Sequence, residues 1–213
     1  MSAIPAYLRQ STSSHKICLI LEGQEEEYYF KRLFELSVFS KGYSIKPINA
    51  KSASSIPGIF QMEYASNSYE AVLVVCDVDR HPEEFPKICA GIDSVLGPQK
   101  SSCVVFFTRP CTLQVILLHF GEVMLKTQAK KIAQPIVKEL TGVENYDAHK
   151  EQLETICSKI YRRTYPEMKV RLQKISTNRE DIPSSNLYFL FDNLESDDAT
   201  WLNDIRDALS RDE

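Results

Sequence analysis

The chain has 213 residues, of which 43% are hydrophobic and 25% are charged, and its formal net charge is −4. This composition is typical of a globular protein long enough to bury its own core, and it excludes a globally basic nucleic-acid binder. No apolar run approaches the roughly 20 residues of a transmembrane helix, and no signal peptide is visible. The six cysteines form no C-x-x-C pair. We therefore expect a reduced, cytoplasmic protein without a zinc site and without membrane contact.

The first part of the chain predicts a strand followed by a helix. Residues 1–15 are polar and are expected to form a flexible N-terminal arm. Residues 17–21 form a short apolar run, which is typical of a strand buried on both faces of a sheet. The run ends at Glu22-Gly23, after which apolar residues recur at helical spacing with acidic residues in the first turn.

The next segments repeat this alternation. They are predicted as a strand at 44–49, a helix at 59–66, a buried strand at 71–76, a helix at 85–96 and a strand at 102–107. Strands that alternate with helices favour an α/β fold, with a mostly parallel sheet flanked by helices.

The second half changes character. The apolar residues 113–125 predict one buried helix, and the pattern from 129 onward is helical. We expect an α/β domain at 16–125 and a helical C-terminal region at 126–213 packed on it. Residues 126–180 contain twelve Lys or Arg and seven Asp or Glu. This local excess of positive charge predicts either a phosphate-binding surface or solvated helix faces.

Acidic residues follow both buried strands. Glu22 ends the first, and Asp77 and Asp79 end the second. Ligands of open α/β sheets bind at the carboxyl ends of strands, where three carboxylates would repel one another unless a hard cation such as Mg²⁺ joined them. Either motif alone is more often a turn, but their joint occurrence favours a metal site. Gly23 would permit a tight turn and close approach to a ligand.

These motifs resemble the Toprim domain, and more narrowly the RloB-like Toprim proteins. The resemblance consists of ILEGQEEEYYF at 20–30, Asp-Val-Asp at 77–79 and RPCTLQVILLHF at 109–120, which resembles NPCFELWLLHF. It covers roughly residues 16–125. It implies a Rossmann-like fold and a metal-dependent nuclease of a prokaryotic anti-phage defence system, with a partner ATPase encoded nearby.

The resemblance also implies roles for the acidic residues. Glu22 would be a metal ligand or general base, and Asp77 and Asp79 would hold Mg²⁺ or Mn²⁺. Three positions depart from the pattern, since Glu25 replaces a frequent Thr, Arg109 a usual Asn, and Gln114 the acid of the third motif. If that acid helps to hold a second metal ion, its absence predicts one ion rather than two and a slow or impaired enzyme; otherwise the number of ions stays open.

Other residues have two interpretations each. Arg80 either contacts phosphate or belongs to a solvated loop, and Lys126 and Lys130 either contact phosphate or lie on a solvated face. His119, within an apolar run, is more often a core histidine than a substrate contact.

Two other functions remain open from the sequence. One is a Toprim-like module that binds nucleic acid or a partner ATPase without efficient catalysis. The other is a phosphate-accepting acidic pocket, which is disfavoured because 107–110 offers no lysine. The nucleic-acid type and formation of a homo-oligomer are not determined by the sequence.

Overall fold

The computed structural model describes residues 14–78 and 83–210. Its sheet has the strand order β2-β1-β3-β4-β5. The strands are β1 His15–Leu21, β2 Tyr43–Asn49, β3 Ala71–Asp77, β4 Val105–Arg109 and β5 Ser184–Ser185. The first four are parallel, and β5 pairs antiparallel with β4. The predicted α/β fold with a mostly parallel sheet is therefore confirmed.

Helices connect the strands and form most of the second half. They are α1 Gln24–Glu35, α2 Ile56–Ala65, α3 Glu84–Leu96, α4 Leu113–Leu117, α5 Lys130–Thr141, α6 Lys150–Ser158, α7 Thr164–Leu172, α8 Leu187–Glu195 and α9 Thr200–Ser210. No helix among residues 14–78 and 83–210 is both long and apolar enough to cross a membrane.

The two continuous apolar runs form the centre of the sheet. Residues 17–21 of β1 and 73–76 of β3 are completely buried, as expected for strands covered on both faces. These two strands are adjacent and parallel, with Leu21 opposite Val75. Their carboxyl ends consequently lie side by side at one edge of the sheet.

A single helix was predicted over 113–125, and this prediction is correct only for its first five residues. Helix α4 ends at Leu117, and residues 122–125 have no regular structure. The side chain of Gln114 explains how this segment is held, because its Nε2 donates to the Val123 carbonyl (2.8 Å) and its Oε1 accepts from the Leu125 N–H (2.7 Å). Residues after α4 are apolar because several of them are partly or fully buried. A buried segment can be irregular, so the apolar pattern did not require a helix.

The C-terminal helical region is closely joined to the sheet. It contributes β5, a strand that the sequence did not predict, and α8 packs on β4. On the opposite side, the Trp201 indole N–H donates to the Tyr43 hydroxyl on β2 (2.8 Å). The Arg32 guanidinium of α1 donates to the Ile160 carbonyl just beyond α6 (2.8 Å). The regions before and after residue 126 therefore share one hydrophobic core.

Candidate functional site

Glu22 and Asp77 meet at the carboxyl ends of β1 and β3. The Glu22 N–H continues the strand pairing by donating to the Val75 carbonyl (3.1 Å). The Glu22 Oε2 in turn accepts from the Asp77 N–H (2.9 Å), and the Thr112 hydroxyl donates to Asp77 Oδ1 (3.0 Å). The predicted meeting of these two acids is confirmed. The other predicted residues of this loop, Asp79 and Arg80, lie outside the described residues.

The first turn of α1 adds two acids to the site. Helix α1 begins directly after Glu22-Gly23, so its second and third residues, Glu25 and Glu26, lie over the strand ends and are only 9% and 3% exposed. We refer to Glu22, Glu25, Glu26 and Asp77 as the carboxylate cluster. Glu25 and Glu26 were not predicted to be site residues, because acids in a first turn usually complement the helix dipole in solvent. The signal was their helical spacing from buried positions further along α1, which are Tyr29, Phe30 and Leu33.

Glu25 is fully engaged by residues from the second half of the chain. Its Oε1 accepts from the Lys130 ammonium (2.6 Å) and from the Tyr146 hydroxyl (2.9 Å). Its Oε2 lies 3.3 Å from the Leu113 N–H. Lys130, predicted to contact phosphate or to lie on a solvated face, instead forms an ion pair with Glu25 of the carboxylate cluster.

The other acids of the cluster are poorly compensated. Burial, followed by repulsion from Glu26, Glu25 and Glu22, raises the pKa of Asp77 well above its usual range. Burial and repulsion from Glu25 likewise raise the pKa of Glu26. The Glu26 Oε2 accepts from the Gly23 N–H (2.9 Å), and hydrogen bonding from the Thr112 side chain offsets part of the rise in the Glu26 pKa. The cluster thus brings more carboxyl groups together in a buried place than its one ammonium group can neutralise.

The donor chemistry of the cluster fits a hard divalent cation, because every side-chain ligand it offers is a carboxylate oxygen. In the described part of the chain, however, no three His, Cys, Asp or Glu side chains are arranged so that they hold a metal ion. Two of the three predicted ligands stand together, and Asp79 falls outside those residues. The described residues therefore bring Glu22 and Asp77 together without forming a complete metal site.

His119 lies in the hydrophobic core and does not form a surface contact. It is 2% exposed, its Nε2 is 3.0 Å from the Tyr29 hydroxyl, and its Nδ1 is 3.0 Å from the Thr164 hydroxyl. Burial and the nearby positive charge of Arg171 lower its pKa to about 3. Of the two interpretations of His119, the structure agrees with the one that the sequence favoured, a hydrogen-bonded core histidine.

Gly23 differs from its predicted role, whereas the exposed position of Lys126 fits both of its interpretations. Gly23 has a φ of −149° in the extended region, and a Cβ added there would lie 3.5 Å from Glu26 Oε2, an ordinary contact. The turn therefore does not require glycine, although the backbone N–H of Gly23 binds Glu26. Lys126 is exposed, as expected for a phosphate contact, but its ammonium donates to the Ile182 carbonyl (3.0 Å).

Gln114 is not part of the carboxylate cluster. It is completely buried, and both polar atoms of its carboxamide bind the backbone of 123–125. Its position in the third motif therefore has a structural role in this chain.

Comparisons with protein-family models, with curated proteins and with solved structures found no match for this chain. Any assignment of function consequently depends on the chemistry of the carboxylate cluster.

Proposed function

We propose that this protein is a Toprim-type, metal-dependent nuclease similar to the RloB-like proteins, acting in prokaryotic defence against phage. The observation that carries the proposal is the contact between Glu22 and Asp77 at the carboxyl ends of two adjacent parallel strands. This is the edge of an α/β sheet at which ligands bind, and the sequence places Asp79 two residues further on.

In this proposal some residues at the site would bind the cation and others orient the ligands. Glu22, Asp77 and Asp79 would be ligands of Mg²⁺ or Mn²⁺, and Glu26 adds a buried carboxyl group beside Asp77. A bound divalent ion stabilises charge that develops on a phosphoryl oxygen. The Thr112 hydroxyl orients Asp77, and the Asp77 N–H orients Glu22.

Phosphate contacts would come from residues 126–180, where basic residues outnumber acidic ones. Several of these charges are already paired with acids; these pairs are Lys138 with Glu144, Lys169 with Asp192, Arg171 with Glu167 and Lys174 with Glu122. Exposed basic side chains remain at Lys126, Lys131, Arg162 and Arg163. Binding through such residues weakens steeply as salt concentration rises.

The experiment is a cleavage assay on single- and double-stranded DNA and RNA with Mg²⁺ or Mn²⁺. We expect slow, metal-dependent cleavage that is lost in Glu22→Ala and in Asp77→Ala, because each change removes a charged ligand. Glu139→Ala is the matched control, since Glu139 is an exposed acid on α5. If neither metal supports cleavage, even after an ATPase encoded nearby is added, the proposal of nuclease activity is refuted.

The second candidate function is a module that binds nucleic acid or a partner ATPase without cleaving nucleic acid. It is favoured by the lack of a complete three-residue metal site within the described ranges and by the pairing of Glu25 with Lys130. Retention of nucleic-acid binding in Asp77→Ala, together with an inactive wild type, would support this module.

A further inference from the structure

A groove of about 440 Å³ lies between α3, β4 and the segment that precedes β5. Phe85 of α3 and Val105 and Phe107 of β4 supply its apolar surface, and the rings of Phe85 and Phe107 meet edge to face with their centres 5.8 Å apart. Asn178 and Arg179 add polar groups to its lining. Ligand sites in proteins have volumes of about 300–1,000 Å³ and combine an apolar surface with a few polar groups, so this groove has the size and the lining of such a site.

The guanidinium of Arg179 lies over the aromatic part of the groove. Its central carbon is 5.2 Å from the centre of the Phe85 ring, and 44% of the side chain is exposed. Its ion pair with the neighbouring Glu180 (3.2 Å) joins two exposed groups, and pairs of this kind are weak. The planar guanidinium can therefore still stack on a flat ring or bind a phosphate group.

Two further basic side chains hold the segment that carries Arg179. The Arg109 guanidinium donates to the Arg179 carbonyl (2.7 Å), and the Lys126 ammonium donates to the Ile182 carbonyl (3.0 Å). The residue before Arg109 lies opposite Asp77 in the pairing of β3 with β4. Because a bond to a carbonyl does not neutralise a charge, positive charge collects at this segment, beside the strand ends that carry the carboxylate cluster.

We propose that this groove binds one nucleotide of a nucleic-acid strand, with the base against Arg179 and the two phenylalanines. The inference rests on the proposed function, for which it names a substrate contact. Phe85 and Phe107 are each only 7% exposed, so the base would stack chiefly on the guanidinium of Arg179, as bases do in many complexes with single strands. A nucleotide matches both features of the surface, since its ring fits the aromatic part and its phosphate fits the basic side chains.

The test is the binding of labelled, short single-stranded DNA and RNA to the full-length protein in EDTA, followed by fluorescence anisotropy. We expect binding that weakens as salt rises. Arg179→Gln should weaken it about tenfold, the usual effect of losing one stacking side chain. Arg179→Lys keeps the charge without the planar group, so it should restore only part of the affinity. Arg206→Gln is the matched control, because Arg206 on α9 is likewise exposed and paired with a glutamate.

A second variant blocks the groove without changing any charge. Ser102 lines the groove and is exposed, so Ser102→Trp should fill part of the space and weaken binding to a similar degree. Ser94→Trp places the same side chain at an exposed position of α3 outside the groove lining and should bind as the wild type does. Circular dichroism of each variant establishes that it is folded.

The outcomes separate this inference from the nuclease proposal. Unchanged binding in Arg179→Gln or Ser102→Trp, an equal loss in either control, full recovery in Arg179→Lys, or equally good competition by polyglutamate would each overturn the nucleotide groove. So would a wild type that binds no oligonucleotide. Losses specific to Arg179→Gln and Ser102→Trp in a protein that cleaves no nucleic acid would support the groove and refute the nuclease. Cleavage by a wild type whose binding does not respond to these two changes would do the reverse.

Discussion

The surroundings of Asp77 and Glu26 disfavour the ionised form of each side chain and so raise its pKa. Burial acts first on both, and the neighbouring carboxylates add repulsion. Folding therefore shifts the protonation equilibrium of both side chains toward the neutral form. Raised carboxyl pKa values are common at functional sites, where repulsion between like charges lowers the stability of the ligand-free protein and a bound ligand relieves it.

The residue-scale prediction concerns Asp77→Asn. The asparagine Oδ1 still accepts the Thr112 hydroxyl, while the repelled charge is gone. Because the folded-state pKa of Asp77 lies above the unfolded value of about 3.9, the stability contributed by its neutral form is complete at lower pH and is lost as pH rises through the folded pKa. Without metal, the variant should melt at a higher temperature than the wild type near about pH 8, with the difference fading toward about pH 4.

Thermal unfolding followed by circular dichroism across this pH range measures the effect. Asp204→Asn on α9, an exposed acid, is the control and should show no such pH-dependent gain. A metal-free Asp77→Asn variant that melts below the wild type at alkaline pH would contradict the repulsion.

At the scale of elements, the short helix α4 and the segment after it are stabilised by one carboxamide. Gln114 donates to Val123 and accepts from Leu125, and no water reaches the side chain. A glutamate at this position would place a buried charge against the Val123 carbonyl oxygen. The acid that the third motif led us to expect is therefore incompatible with this local structure.

The element-scale prediction is that Gln114→Glu destabilises the fold and does not activate the protein. A lost donor and a buried charge should cost about 3 kcal/mol or more at neutral pH. The cost should shrink in acid, because a protonated glutamate can donate to Val123 again. Urea denaturation measures the loss, with Gln61→Glu on the exposed face of α2 as control. A folded, more active Gln114→Glu protein would contradict the structural role of Gln114.

At the scale of the whole molecule, the helical second half completes the α/β sheet and the carboxylate cluster. It supplies β5 to the sheet, Trp201 to the outer strand β2, and Lys130 and Tyr146 to Glu25. The buried residues of both halves form one continuous core. Neither half is expected to retain its packing when the other is lost.

The prediction at this scale is a single cooperative unfolding transition. Trp201, the chain's one tryptophan, reports the docking of α9 on β2, while far-ultraviolet circular dichroism reports all helices and strands. The two signals should give the same urea midpoint, because a shared core unfolds as one unit. Two separate transitions would show that the C-terminal helices unfold independently of the sheet.

The sequence by itself determined the centre of the sheet and the position of its acids. The apolar runs of β1 and β3 are continuous because both faces of these strands are covered, and Glu22 and Asp77 follow them directly, so a local pattern contains the information. Only the tertiary structure decided which groups join those acids. Lys130 and Tyr146 reach Glu25 across sequence separations of 105 and 121 residues. The end of α4, the role of Gln114 and the two residues of β5 likewise depend on backbone groups brought together by folding. Periodicity reports which face of an element is buried, whereas the partners on that face are set by how distant elements pack.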